Sequence, residues 1–414
     1  MKLNFDSFKL ENGLKVLVHE DHSVPKVVVD IVYHVGSKNE SQDKTGFAHL
    51  FEHLMFEGSK HISHFDQALQ RVGGSSNAFT NSDITNYYVS LPSNQLETAF
   101  WLESDRMLAL DFSQKKLDVQ KSVVIEEFKQ RYLNQPYGDA YLQLRNSHFD
   151  VHPYKWMTIG KEISHIESAT MEDVQSFFYG FYAPNNATLC VVGDVNLEEV
   201  KTLTEKWFGP IPSRTLSKKE LPQEPSQLAH KKIESVGSVP LTAVYNMYHI
   251  PAHRDRAYYV ADILTDILSN GKGSLLYEHM VKQQKVSPGV SAFTWGMHDP
   301  GAMSIDGKVS SDTTIEAYET SLHEVLDSLQ DLSQDDLSRI QSKLKASFIL
   351  QKTSFLNKAI ELAVSDALGD PKLINRIPEI YESISLEEVK SAAKEFLAKE
   401  NCTTLYYHPH AKTA

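Results

Sequence analysis

The sequence predicts a mixed α and β protein built from two related domains, and three observations carry that expectation. The chain has 414 residues, more than one core accommodates, because single hydrophobic cores rarely grow past roughly 250 residues. Short runs rich in β-branched and aromatic residues alternate with longer helical patterns. The pattern of the first half returns at low resolution in the second, across a stretch containing Pro210, Pro212, Pro222 and Pro225.

The elements follow in order. Asn12-Gly13 separates two apolar-patterned runs, residues 8–10 and 14–18, and supplies the positive φ of a tight hairpin turn. Residues 27–35 read as a strand. Helical spacing takes over at 45–57, stopped by Gly58, and at 65–72, stopped by Gly73-Gly74. Residues 75–91 read as one extended stretch. Helices are expected at 94–110, with an Asn94 cap and Glu97 three residues on, and at 114–133. Residues 187–192 form a buried strand containing Cys190, followed by a helix ending near Trp207-Phe208. The domains are placed at 1–208 and 229–414, with 209–228 as linker. In the second half, 241–250, 257–269, 290–309, 314–329 and 333–351 are the counterparts of 27–35, 45–57, 75–91, 94–110 and 114–133.

Composition narrows the function. Forty-one Lys and Arg against 54 Asp and Glu leave a net charge of −13, a sign that repels nucleic acid and gains nothing at anionic lipid. No apolar run reaches the roughly 20 residues of a membrane span, and residues 1–13 lack a signal-peptide core, so the expectation is a cytoplasmic protein without a membrane partner. The two cysteines, Cys190 and Cys402, make no disulfide framework.

What the first half carries and the second lacks is His49-Leu50-Phe51-Glu52-His53. Positions four apart on a helix lie about 40° from each other, so both imidazoles face one way and can grip one ion. Glu52 falls on the edge of the same face, within reach of a water rather than of the metal. This is a catalytic zinc arrangement, which needs a third ligand from another element. Glu126 and Glu127, after Val123-Val124-Ile125 on the helix from Gln114, both qualify, and spacing does not choose between them. Eight of the other histidines, His61, His64, His152, His165, His249, His253, His408 and His410, read as surface or loop groups. Gly73-Gly74 is a helix stop rather than a phosphate cradle, since no Lys-Ser/Thr follows it.

On these residues the chain resembles the inverzincin metallopeptidases of the pitrilysin, insulin-degrading enzyme and mitochondrial processing peptidase type. The likeness extends over Gly46 to Gly58, Gly73-Gly74-Ser75-Ser76-Asn77-Ala78-Phe79-Thr80, Val123 to Glu127, His152-Pro153-Tyr154, Ile159-Gly160 and Val191 to Val195. It implies an α+β fold of two related domains, each an antiparallel-rich mixed sheet covered by helices, forming half of a clam-shaped dimer. It further implies a zinc-dependent endopeptidase with Zn2+ on His49, His53 and Glu127, Glu52 as general base, and Glu126 outside the ligand set. Asn77, Ala78 and Phe79 would belong to a sheet edge onto which an extended peptide adds as a strand.

Two departures stand out. The family commonly has an acid seven residues before the ligand glutamate, where this chain has Gln120. Many members also carry, in the second domain, an Arg and a Tyr seven residues apart that hold the substrate carbonyl. Here Lys282 lies near the Arg position and residues 286–290 contain no Tyr. The expectation is a metal-bearing subunit of a dimer, hetero-dimeric with a homologue supplying the Arg-Tyr pair or homo-dimeric. The rival is a non-catalytic scaffold or peptide-holding subunit of the same family.

Overall fold

The alternating strand and helix patterns assemble, in the computed structural model, into two sheets, each with its own helices; residues 2–217 and 220–410 are described. The first compact unit comprises Met1–Phe128, Trp156–Leu221 and Phe348–Arg376, and the second comprises Lys129–Lys155, Pro222–Ser347 and Ile377–Ala414.

The first unit holds a six-stranded sheet of β1 (Asp6–Lys9), β2 (Lys15–Glu20), β3 (Lys26–Tyr33), β4 (Ser75–Thr80), β5 (Thr85–Pro92) and β6 (Ala187–Gly193), in the order β1-β2-β6-β3-β5-β4. Neighbours are antiparallel except β2 with β6. The valine-rich β3 and the fully buried β6 are central, as strands without a solvent face must be. The helix Phe355–Ala367 covers one face, setting Phe355, Ala359, Leu362 and Ala363 against Leu17, Val28, Val32, Cys190 and Val192. Within that face Asp30 is fully buried and accepts a 2.6 Å bond from Asn86; burial holds its pKa well above the usual carboxylate range.

Two expectations change here. The stretch 75–91 is a hairpin rather than one strand, because the Asn81 carboxamide accepts the amides of Asp83 and Ile84 and turns the chain between β4 and β5. The helix expected from Asn94 begins at Leu96, after a 3-10 turn Ser93–Gln95, with Gln95 at its cap and no side-chain cap bond. Two helices that matter below are α1 (Phe47–Leu54) and α2 (Gln114–Phe128).

The second unit repeats the topology with one strand fewer. Its strands are β7 (Lys231–Gly237), β8 (Ala243–Ile250), β9 (Val290–Trp295), β10 (Gly301–Lys308) and β11 (Cys402–Pro409). The order β7-β11-β8-β10-β9 matches β2-β6-β3-β5-β4 strand for strand, with the parallel pair β7–β11 where the first unit has β2–β6. The internal repeat and the α+β class read from the sequence are therefore both present. The helix Ala140–His148 packs Ala140 and Leu144 against Ala243, Met247, Leu405 and Tyr407 of this sheet.

The units differ from the contiguous domains 1–208 and 229–414 in two places. Residues 129–155 come from the first half of the sequence yet belong to the second unit, and 348–376 do the reverse. Each carries the apolar face that covers the other half's sheet, a long-range preference that periodicity does not reveal. The stretch 209–228 contains the boundary, between Leu221 and Pro222, but its beginning is tied down. Arg214 donates to the carbonyls of Tyr182, Met107 and Leu108 and stacks on Phe178 and Tyr179 at 4.8 and 4.9 Å.

Not every remaining histidine lies at the surface. His152 is buried, and His249 stacks on the fully buried His148 with ring centroids 3.7 Å apart. Burial holds both stacked rings neutral: His148 falls well below its ordinary pKa and His249 drops to about 4, with Lys231 pushing both the same way, Arg145 adding to the effect on His148, and Glu224 and Asp150 opposing it at His249. At these two rings the unfolded chain therefore binds more protons than the folded one between about pH 4 and 6.5, and their contribution to stability falls as pH drops through that window, opposite in sign to that of buried carboxyls such as Asp30. Denaturant midpoints measured from pH 7 to pH 4 should shift in favour of His249→Phe relative to the wild type as pH falls; a difference between the two that does not change with pH would refute the assignment.

Candidate metal centre

Helix α1 begins where a buried carboxylate meets its first amides. Gly46, at φ 90°, precedes the helix, and Glu40 accepts the N–H groups of Gly46 at 2.9 Å and Ala48 at 2.8 Å. These are amides that a helix start otherwise leaves without partners. A Cβ at Gly46 would approach the Ile159 carbonyl oxygen to 2.8 Å, so both its φ and its crowding require glycine. Burial pushes the Glu40 carboxyl up to about 8, against the amide bonds that favour its anion. The apolar residues Phe47, Ala48, Leu50, Phe51 and Leu54 face inward, and Phe51 packs on Phe177 and Tyr182 at 5.0 and 5.3 Å. The opposite stripe carries His49 and His53, whose rings lie 4.9 Å apart at 88°.

Helix α2 presents a matching stripe. Leu117, Gln120, Val124 and Phe128 are buried, and Glu127, seven residues after Gln120, stands two turns along the same face. Glu127 Oε2 lies 3.7 Å from His49 Nε2 and 3.6 Å from His53 Nε2. One ligand atom from each residue falls within 4.8 Å of the others, and this is the only such group among the described residues. Glu126 is exposed on the neighbouring face. The three side chains are 14, 24 and 18 % exposed, so solvent reaches the centre from one side.

The donor set fits zinc. Two imidazole nitrogens and a carboxylate oxygen are a known three-ligand combination, and tetrahedral donors about 2.0–2.1 Å from an ion stand roughly 3.4 Å apart. The contacts to Glu127 are already near that spacing. The same set leaves one coordination position for water or substrate.

The surroundings contain Gln120, already singled out in the sequence, and two residues that sequence reasoning passed over, Thr80 and Glu57. Thr80, at the end of β4, donates a 2.6 Å hydrogen bond to Glu52 Oε2 and orients the carboxylate beside the histidines. Gln120 Oε1 lies 3.2 Å from His53 Nδ1, while Gln120 Nε2 donates to Glu57. The nearest signal in the sequence was the seven-residue spacing of Gln120 and Glu127; nothing local tied Thr80 or Glu57 to the site.

Asn77, Ala78 and Phe79 lie on β4, the edge strand of the first sheet, which pairs only with β5. The Ala78 amide meets the Asn77 carboxamide oxygen at 2.9 Å. In the second unit, Lys282 is exposed and paired with Glu278, one helical turn back. Among the described residues no helix is long and apolar enough to cross a membrane.

A family model described as Insulinase (Peptidase family M16) matches residues 15–148, and one described as Peptidase M16 inactive domain matches residues 168–344. The chain is 28% identical over 414 residues to the zinc protease PqqE of Helicobacter pylori, covering 98% of this chain and 93% of that one. It is 26% identical over 255 residues to the insulin-degrading enzyme of Homo sapiens, a match to 59% of this chain and 25% of that much longer one. A crystal structure of a protease from Helicobacter pylori superposes with a TM-score of 0.92 at 28% identity, covering 98% of this chain and all of that one.

The Glu40 cap is testable by itself. Glu40→Ala removes the acceptor from two helix-start amides and should lower folding stability by at least about 1–2 kcal/mol, read as a lower thermal midpoint. An unchanged midpoint would show that α1 does not depend on it.

Proposed function

The chain belongs to the pitrilysin/insulinase (M16) family of peptidases, and on that premise we propose that it is a zinc-dependent endopeptidase acting on extended peptides or unfolded small proteins. The observation that most supports this reading is the convergence of His49, His53 and Glu127 within 4.8 Å, with Glu52 alongside. The description "inactive domain" attaches to residues 168–344, a span containing none of these four.

His49, His53 and Glu127 would hold the metal. A zinc ion there supplies Lewis acidity, polarising the scissile carbonyl and acidifying the attacking water. Glu52 takes the water's proton and returns it to the leaving amine, a role for which a carboxylate beside the reacting centre suffices. Thr80 keeps that carboxylate in place. Substrate would lie along β4 beside Asn77, Ala78 and Phe79, adding backbone hydrogen bonds at alternate residues and displacing the Asn77 carboxamide from the Ala78 amide. Recognition through backbone favours extended shape over a particular sequence.

The absence of an Arg-Tyr pair near Lys282 points to a partner. A homologous subunit would supply the groups that hold the substrate carbonyl, since losing one such donor typically costs about a hundred- to a thousandfold in rate. The match of residues 168–344 to an inactive-domain model favours a second reading, a peptide-holding subunit without activity. Metal content separates the two, because a scaffold should purify without stoichiometric zinc.

Glu52→Gln should retain one zinc per chain and lose about a hundred- to ten-thousandfold in turnover of a fluorogenic peptide. His49→Ala, His53→Ala and Glu127→Gln should lose the metal as well. Undiminished turnover in Glu52→Gln would refute the assignment of the base. Peptide hydrolysis by the purified chain should rise when a homologue lacking the His-Glu-His elements is added; full activity of the lone chain at every dilution would exclude the partner.

A further inference from the structure

Beside the three converging ligand atoms runs a chain of hydrogen bonds with one consistent direction. A carboxylate only accepts, so Glu57 can take a bond from Gln120 only through the amide nitrogen, Nε2. That places the amide oxygen, Oε1, towards His53, where it lies 3.2 Å from Nδ1. An amide oxygen only accepts in its turn, so the ring proton of His53 belongs on Nδ1. Nε2 is then left with its lone pair facing Glu127 Oε2, 3.6 Å away.

We propose that Gln120, held in orientation by Glu57, is a positioning residue that sets the tautomer of His53 for metal binding. The inference rests on the zinc reading of this centre and goes beyond it. It explains how a neutral amide serves where the family commonly has an acid: Glu57 supplies the negative charge one bond further out, and the amide passes on its directional effect. Gln120 is buried, so water does not readily replace either bond. Glu57 lies in the turn just past the end of α1, and Gln120 precedes Glu127 by seven residues on α2, so the end of one helix and the face of the other bring this pair beside the ligand set.

The test is a double-mutant cycle read by zinc affinity in chelator competition, with thermal midpoints confirming that each variant is folded. Gln120→Met keeps the length of the side chain and removes both bonds. It should weaken zinc about 10- to 100-fold, the usual cost of losing a ligand's hydrogen-bond partner. Glu57→Gln lets the Gln120 amide turn either way and should weaken zinc several-fold alone, yet add nothing in the Gln120→Met background. In the metal-free protein, 15N shifts of His53 should report Nδ1–H in the wild type and a mixture in Gln120→Met. Wild-type zinc affinity in Gln120→Met, or an equal effect of Glu57→Gln in both backgrounds, would overturn the relay while leaving the zinc centre standing. Failure of the wild type to bind zinc would instead overturn the centre itself.

Discussion

The register of α1 against α2 is the constraint on which the centre depends. The two stripes run in opposite directions: His49 and His53 meet Glu127, and one step further His53, with Glu57 from the turn after α1, meets Gln120. A shift of either helix by one residue would rotate its stripe by about 100° and separate every pair at once. What holds that register is ordinary folding chemistry. Glu40 fixes where α1 starts, the aromatic packing of Phe51 fixes its rotation, and the buried Leu117, Val124 and Phe128 fix the face of α2. The polar centre is thus positioned by apolar contacts, opposite the histidines on α1 and flanking Gln120 and Glu127 on the same face of α2.

How much of this could be read from the sequence depends on the distance over which each interaction acts. The His49, Glu52 and His53 arrangement lies within one helical turn, so periodicity alone placed it. The choice of Glu127 over Glu126 needed the family resemblance, because both acids sit on the same helix and only the approach of α1 distinguishes their faces. Thr80 is 28 residues from Glu52 and Gln120 is 67 from His53; contacts of that span leave no local mark. The hairpin at residues 75–92 is a different case, for Asn81-Ser82-Asp83 carried a turn signal that the β-rich flanks obscured. The Asn94 cap failed for a local reason too, as the chain spends one 3-10 turn before the helix begins.

The repeated sheet clarifies what makes one unit chemical. Both units share strand order and sense, including the single parallel pair and an edge strand at the corresponding position, β4 or β9. Among the described residues only the first adds a convergent His/Glu set. The second instead places neutral, stacked histidines against its sheet, where burial strips them of charge. The same scaffold therefore carries imidazoles in two conditions, solvent-reachable and close to a carboxylate in one unit, desolvated and close to other rings in the other.

The crossing of residues 348–376 into the first unit bears on how the protein is made. The face of the sheet formed by Leu17, Val28, Val32, Cys190 and Val192 is packed against Phe355, Ala359, Leu362 and Ala363. Residues 1–354 are synthesised before that helix, and until it emerges the valines of this face lack that partner. Loops closing over more than 300 residues are also slow to form. Completion of the unit that bears the His-Glu-His helix therefore waits for residues 348–376, and a chain stopped before them would leave part of that unit's core uncovered.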